Sequence, residues 1–244
     1  MQGFFFTMLF LIPVPLSEPQ SLQSIPVQTP ALVSRLRLFF VEELRTARRF
    51  IRACGYSGDF SDIQLIEIGK KQNPEEFSAG LDRLRNEDAG ILSESGMPCV
   101  ADPGAELVAL AHRNQIPVSP LPGPSSILQT LAASGMSGQT FSFHGYLPIR
   151  QEELPIAIKN LVRDIQKSGA TQLFIETPFR VQKMLNTLLQ ELPEEITLCV
   201  GINIGMNDEK IISQKPSQWK KNIPDLNKKL VVFALGKYPS LAHS

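Results

Sequence analysis

At 244 residues the chain is long enough for one large α/β domain or two smaller ones, and it can bury a substantial core. Its 43% hydrophobic and 20% charged residues place it among ordinary folded proteins rather than disordered chains. Twenty-four basic residues balance 24 acidic ones, which argues against a wholesale polyanion-coating role but leaves room for a local basic patch that holds one RNA segment.

The opening "MQGFFFTMLFLIPVPLSEP" has the hydropathy of a signal peptide but no basic residues before the apolar run, no small-x-small cleavage site, and prolines where a membrane helix would continue. It is expected to be an extended tail running into a buried first strand, with a cytoplasmic location as the default. Apolar, β-branched or aromatic runs predict strands at 9–14, 36–42, 89–94, 116–121, 140–145, 171–176, 196–202, 209–213 and 229–235. Between most of them, helical periodicity covers 43–54, 74–87, 103–114, 125–134, 151–168 and 178–192. This alternation predicts parallel sheets covered by helices.

Asp102 before Pro103 reads as an N-cap with proline at the first helical position, and Gly55, Gly135 and Gly169 stand where residues just past helix ends belong. The least regular connection is "SPLPGPSS" at 119–126, and most antiparallel-looking pairs follow it. The expected division is an N-terminal α/β domain at 1–120 and a C-terminal α/β domain at 121–244. Cys54, Cys99 and Cys199 are odd in number, far apart and set in or beside apolar runs, so they read as reduced core thiols. His112, His144 and His243 have no ligand spacing, and no metal site is expected.

In an open parallel sheet, ligands bind outside the carboxyl ends of the strands. Four loops belong there: "PVPLSE" (13–18), "SESGMP" (93–98), "PLPGPSS" (120–126) and "ETPFR" (176–180). Small residues and proline dominate them, which suits a flat, mostly uncharged ligand held by backbone groups. The turn-rich stretch 93–106 divides in two on this reading, with "SESGMP" lining a pocket and "VADPG" starting the next helix. A wide loop with no ligand would have the same composition. No phosphate-binding Gly-x-x-x-x-Gly-Lys, no Gly-x-Gly-x-x-Gly after a strand and no Gly-x-Ser-x-Gly elbow occurs, which disfavours a nucleotide triphosphatase, an ordinary dinucleotide dehydrogenase and a serine hydrolase.

The ordered segments "GILSESGMPCVADPGAELV", "PVSPLPGPSSILQTLAASGM", "FSFHGYLP" and "LFIETPFRVQKML" resemble the tetrapyrrole methylase superfamily, and most of all its ribosomal RNA small-subunit methyltransferase I branch, a ribose 2′-O-methyltransferase group. The resemblance runs from about residue 9 to 236. It implies two α/β domains of the class III methyltransferase kind, a homodimer, and S-adenosylmethionine in a cleft between the domains. Carried over by position, cofactor contacts fall at Pro15, Ser95, Gly96, Met97, Val100, Ser125, Ser126 and Glu176. These lie in the loops that the strand-end argument selects.

The chain also departs from the branch's pattern. Leu16, Ser17 and Glu18 stand where a Gly-Asn pair is usual, Glu43 and Leu44 replace an aspartate and a threonine, and Phe179 replaces a histidine. In "GINIGMNDEK", Ile202, Asn203 and Met206 replace an arginine, a glutamate and a lysine, so charges able to meet phosphate are lost there.

Arg45, Arg48, Arg49 and Arg52 recur at i, i+3, i+4 and i+7, one face of a helix, and are candidates with Arg150 for holding an RNA backbone; a solvated face with local ion pairs is the plainer reading. A sugar hydroxyl is a poor nucleophile, so a carboxylate base would help. Glu94 is the best-placed candidate, with Glu42 and Glu176 behind it; any of the three could instead order a loop by accepting backbone N–H groups. Trp219, Phe39 and Phe40 read as core, and His144 as non-catalytic. The expected function is S-adenosylmethionine-dependent 2′-O-methylation of ribose in small-subunit ribosomal RNA. The alternatives are methylation of a small molecule such as a tetrapyrrole, or an inactive RNA- or cofactor-binding homologue.

Overall fold

The computed structural model describes residues 7–18, 21–70, 72–150 and 152–239. The first six residues of the expected tail, Gln151 and His243 lie outside the described residues. The chain divides into two compact units, residues 1–125 and 126–244, each built on its own five-stranded sheet.

The first unit runs β1 (Leu9–Ile12), α1 (Thr29–Val33), β2 (Leu38–Val41), α2 (Leu44–Ala53), β3 (Gln64–Glu67), α3 (Pro74–Leu84), β4 (Ala89–Leu92), α4 (Ala105–Arg113) and β5 (Val118–Pro120). Its sheet has the order β3-β2-β4-β1-β5, and every neighbouring pair is parallel. Both faces are covered, so the inner strands β2 and β4 are buried at every position and read as continuous apolar runs. Successive side chains alternate between the faces: Phe39 packs with Phe50 and Ile51, and Phe40 with Ile66 and Leu84. The edge strand β3, "QLIE", has only two apolar residues between polar ones and gave no continuous run, which is why it is absent from the strands expected above. At the other edge β5 ends on Pro120, which lacks a ladder donor and is tolerated only there.

The helix expected from Pro103 begins instead at Ala105, with Gly104 at the N-cap and at φ 126. A Cβ at Gly104 would lie 2.7 Å from Cys99 Sγ, so glycine is required both by backbone angle and by space. Asp102 is therefore not a cap. The pairing of a polar cap with a first-turn proline occurs at α3, where Asn73 accepts the N–H groups of Glu75 and Glu76 ahead of Pro74.

The second unit runs α5 (Ser126–Ala133), β6 (Phe141–Tyr146), α6 (Leu154–Ser168), β7 (Thr171–Glu176), α7 (Val181–Glu191), β8 (Thr197–Ile202), β9 (Lys210–Gln214), α8 (Pro216–Trp219) and β10 (Val231–Gly236). Its sheet, β6-β7-β10-β8-β9, is parallel only at β6–β7 and antiparallel across the other three pairs. The expectation of antiparallel pairing in the later part of the chain holds. One core packs α6, α7 and α8 on the sheet, with the Phe174 and Phe233 rings stacked 5.2 Å apart and Trp219 fully buried. The Trp219 indole N–H donates to the Leu198 carbonyl at 3.0 Å, which satisfies its polar atom inside the core. Gly55, Gly135 and Gly169 all have positive φ just past the ends of α2, α5 and α6. Among the described residues no helix is long and apolar enough to cross a membrane.

Candidate cofactor-binding site

In the first unit the chain passes from β1 outward to β2 and β3, returns to β4 beside β1, and only then adds β5 on β1's other side. That reversal makes the carboxyl ends of β4, β1 and β5 the place where a doubly wound sheet opens a crevice. The loops 13–18, 93–98 and 120–125 leave from these ends, and backbone contacts tie them together. Val14 and Gly96 exchange two hydrogen bonds, each 2.9 Å. The Ser93 hydroxyl donates to the Gly96 carbonyl at 3.0 Å, and the Ser95 hydroxyl to the Pro15 carbonyl at 3.4 Å. Gly123 lies so close to Pro13 that a Cβ would stand 2.3 Å from the proline Cβ.

These contacts sort the expected cofactor residues of this unit. Pro15 is buried and Gly96 spends both backbone groups on Val14, so the two build the loop junction. Ser95 and Val100 are exposed and Met97 and Ser125 half-buried, which leaves them able to touch a ligand. Ser126 and Glu176 belong to the second unit. Ser126 opens α5. Glu176 ends β7, is 5% exposed, accepts the Thr177 N–H at 2.6 Å on Oε1 and pairs with Arg180 through Oε2. Both of its oxygens are occupied, so its visible work is to order the turn into α7.

A group of carboxylates lies beside the junction. Glu42, just past β2, accepts the Glu94 N–H at 2.9 Å, which makes it a loop-ordering acceptor, while Glu94 itself is exposed. Asp102, half-buried, is pushed up to about 7 by burial and then by the negative charges of Glu42 and Glu94. The backbone reaches it through Cys99 and Ala101, at φ 68 and 66, a left-handed conformation that costs a side-chain-bearing residue roughly 1–2 kcal/mol. Asp102, Gly69 and Phe77 also line a cavity of about 420 Å³. Sequence reasoning missed Asp102 as an ionisable group because it read the residue as a helix cap; the signal was a second acid eight residues beyond Glu94 in the same turn-rich segment.

The raised pKa has a testable sign. Between about pH 4 and pH 7 the folded chain keeps a proton on Asp102 that the unfolded chain has released, so this residue's contribution to stability falls as pH rises through that window. Asp102→Asn never charges. Its melting temperature relative to the parent chain is expected to be higher at about pH 8 than at about pH 5. Thermal unfolding of both chains at the two pH values checks this, and an equal difference at both would mean that Asp102 titrates as an ordinary carboxyl.

Arg45, Arg48 and Arg49 are exposed on α2 in the first unit, whose N-cap Glu43 accepts the Thr46 N–H at 2.6 Å. Arg150, in the second unit, is exposed and pairs with Glu153 at 3.3 Å. In "GINIGMNDEK", Ile202 is core, and the buried Asn203 accepts the Leu230 N–H at 2.9 Å and donates to Asp208, which also pairs with Lys229 at 2.6 Å. The substituted segment is thus closed on itself by hydrogen bonds. Phe179 is 88% exposed. His144 bonds the Gln172 side chain at 2.7 Å, a structural role. Cys54 and Cys199 are buried and free, their thiols pushed up by burial to about 12 and about 11; Cys99 is half-buried, and burial raises its thiol too. Among the described residues no group of three or more potential ligands could hold a metal ion.

The model of the family "Tetrapyrrole (Corrin/Porphyrin) Methylases" matches residues 43–218, well over half of the chain. The chain belongs to this family. Among curated relatives it is 29% identical over 206 residues to a "Ribosomal RNA small subunit methyltransferase I" of Micromonospora olivasterospora, covering 84% of this chain and 61% of that protein. A protein of the same name from Vibrio cholerae is 35% identical over 105 residues, covering 43% of this chain and 35% of the relative. The chain thus spans less than two thirds of the length of these relatives. Among solved structures, diphthine synthase matches with a TM-score of 0.65 at 14% identity, over 95% of this chain and 90% of that one. A cobalt precorrin-4 methyltransferase matches at 0.57 and 16%, over 94% of each chain. These structures show that the tetrapyrrole methylase fold is shared.

Proposed function

We propose that this tetrapyrrole methylase uses S-adenosylmethionine to methylate RNA, with a ribose 2′-oxygen of small-subunit ribosomal RNA as the target. The observation that carries the reading is the joining of the β1 and β4 loops by the two-way Val14–Gly96 backbone pair, with the β5 loop packed on Pro13 through Gly123, at the end of the sheet where such folds take ligands. The names of the relatives support RNA over a small molecule.

The residues fit the cofactor's chemistry. No lysine or arginine occurs in 13–18, 93–106 or 120–125, while Glu94 and Asp102 stand beside these loops, so a positively charged sulfonium would meet carboxylates and small neutral side chains. Ser95, Met97, Val100 and Ser125 would contact it, and Pro15 and Gly96 would hold the loops in place. S-adenosylmethionine supplies an activated methyl group when bound. The chain's task is to exclude water and hold the acceptor oxygen about 3 Å away in line. Glu94, exposed at the loop's mouth, would take the hydroxyl proton. A homodimer acting in the cytoplasm belongs to the same reading, on the strength of the family resemblance.

S-adenosylhomocysteine is expected to raise the melting temperature, because a ligand that binds only the folded state stabilises it. Methyl-labelled cofactor given isolated small ribosomal subunits, free RNA and cell extract should place label in RNA. Label confined to a small-molecule fraction would overturn the RNA reading, and no thermal shift at about millimolar ligand would overturn the cofactor reading.

A further inference from the structure

The outward face of α2 is more ordered than a solvated basic helix needs to be. Arg45, Arg48, Arg49 and Arg52 are all exposed, while Ala47, Phe50 and Ile51 bury the opposite side. At 1.5 Å per residue the four side chains span about 10 Å of helix face. Among the described residues no carboxylate pairs with any of them.

Two of these arginines are seated on aromatic rings. Arg52 Cζ lies 4.6 Å from the Phe60 ring centroid and 5.5 Å from that of Tyr56, and Arg48 Cζ lies 5.9 Å from Phe60. Arg37 closes the far side, with Cζ 5.2 Å from Tyr56. The rings are fixed in turn: their centroids are 5.7 Å apart, and the Tyr56 hydroxyl donates to the Asp59 carbonyl at 2.6 Å. Arg52 uses one donor, to the Tyr56 carbonyl at 2.8 Å, and keeps the rest of its fork. Asp59 is the acid nearby, but its carboxylate is held below the usual range chiefly by hydrogen bonds from Ser61, with the charge of Arg52 the smallest contribution.

Stacked guanidinium groups lose less side-chain freedom on binding than mobile ones, and their planar forks match phosphate oxygens. An isolated phosphate would use one fork; a row of them calls for a polyanion. Membrane docking would require apolar side chains to insert, and none of the large exposed hydrophobics falls between residues 44 and 60.

We propose that the α2 face is a docking surface for an RNA backbone, in which Arg48, Arg49 and Arg52 bind phosphates and Phe60 holds two of the guanidinium groups ready. The proposal rests on the RNA-directed reading above but does not use the cofactor loops. Arg48→Gln with Arg49→Gln spares Arg52 and its bond to the Tyr56 carbonyl, so folding should survive. With a single-stranded RNA of about 20 nucleotides, the slope of log affinity against log salt should fall by about 1.4, or about 0.7 for each phosphate that is no longer neutralised. Affinity at about 0.1 M salt should fall roughly tenfold, whereas Arg48→Lys with Arg49→Lys should keep most of the slope. The S-adenosylhomocysteine thermal shift should not change.

An unchanged salt slope in the glutamine variant overturns the docking surface, whatever the cofactor result. A lowered slope in a chain that shows no thermal shift upholds the surface and removes the methyltransferase reading. Binding to vesicles containing phosphatidylserine that the same two substitutions abolish, with no RNA binding in the parent chain, assigns the face to a membrane and overturns the proposal.

Discussion

Glu94→Gln is expected to slow methyl transfer by about 10²- to 10⁴-fold, the usual contribution of a positioned general base, with S-adenosylhomocysteine binding little changed. The residue's surroundings separate this from a structural effect. Its N–H is anchored by Glu42, and that bond does not depend on its own side chain. Its carboxylate is exposed and takes no hydrogen bond from a described residue, so nothing in the fold relies on it. Removing its charge also relieves Asp102, where Glu94 is one of two like charges raising the carboxyl. The melting temperature should therefore hold or rise slightly. Single-turnover methylation of the RNA substrate and thermal unfolding decide the matter together. A rate within about threefold of the parent chain, with folding intact, would remove Glu94 from the chemistry and leave Asp102 as the next acid to test.

Gly123→Val should have the largest effect on the loop junction. Even a bare Cβ would lie 2.3 and 2.4 Å from Pro13 Cβ and Cγ, and a proline ring cannot rotate away as a flexible side chain would. Overpacking of this kind costs about 1–3 kcal/mol. Relief would have to come from parting the β1 loop from the β5 loop. The expected result is a lower melting temperature together with loss of most of the S-adenosylhomocysteine stabilisation. The same variant that melts lower but still gains the full ligand shift would show that the junction is structural and the cofactor lies elsewhere.

The fold was largely legible because its elements carry their own periodicities. The strand 171–176 was read to the residue, since Gly169 before it and the Thr177-Pro178 turn after it mark both flanks of the apolar run Leu173–Ile175. β3 was not, because an edge strand with one face half-open breaks the apolar run. The candidate loops were legible as glycine- and proline-rich strand ends, and three of the four meet in one unit. Their division of labour was not legible. Nothing local says that Gly96 spends its backbone on Val14, or that both oxygens of Glu176 are taken by Thr177 and Arg180.

The amino-acid pattern by itself determined the class of the architecture, its α/β alternation, the buried aromatics and the small-residue character of the loops, because these follow from hydrophobic period and local backbone preference. Only the tertiary structure decided that Asp102 is a half-buried acid under the negative charges of Glu42 and Glu94 rather than a helix cap, and that Arg48 and Arg52 rest on Phe60. Charge and stacking here act between residues eight or more positions apart, beyond the reach of local periodicity, and their distances exist only once β2, β4 and the turn after α2 are packed. Periodicity reports which way a side chain faces, and folding alone selects what it meets there.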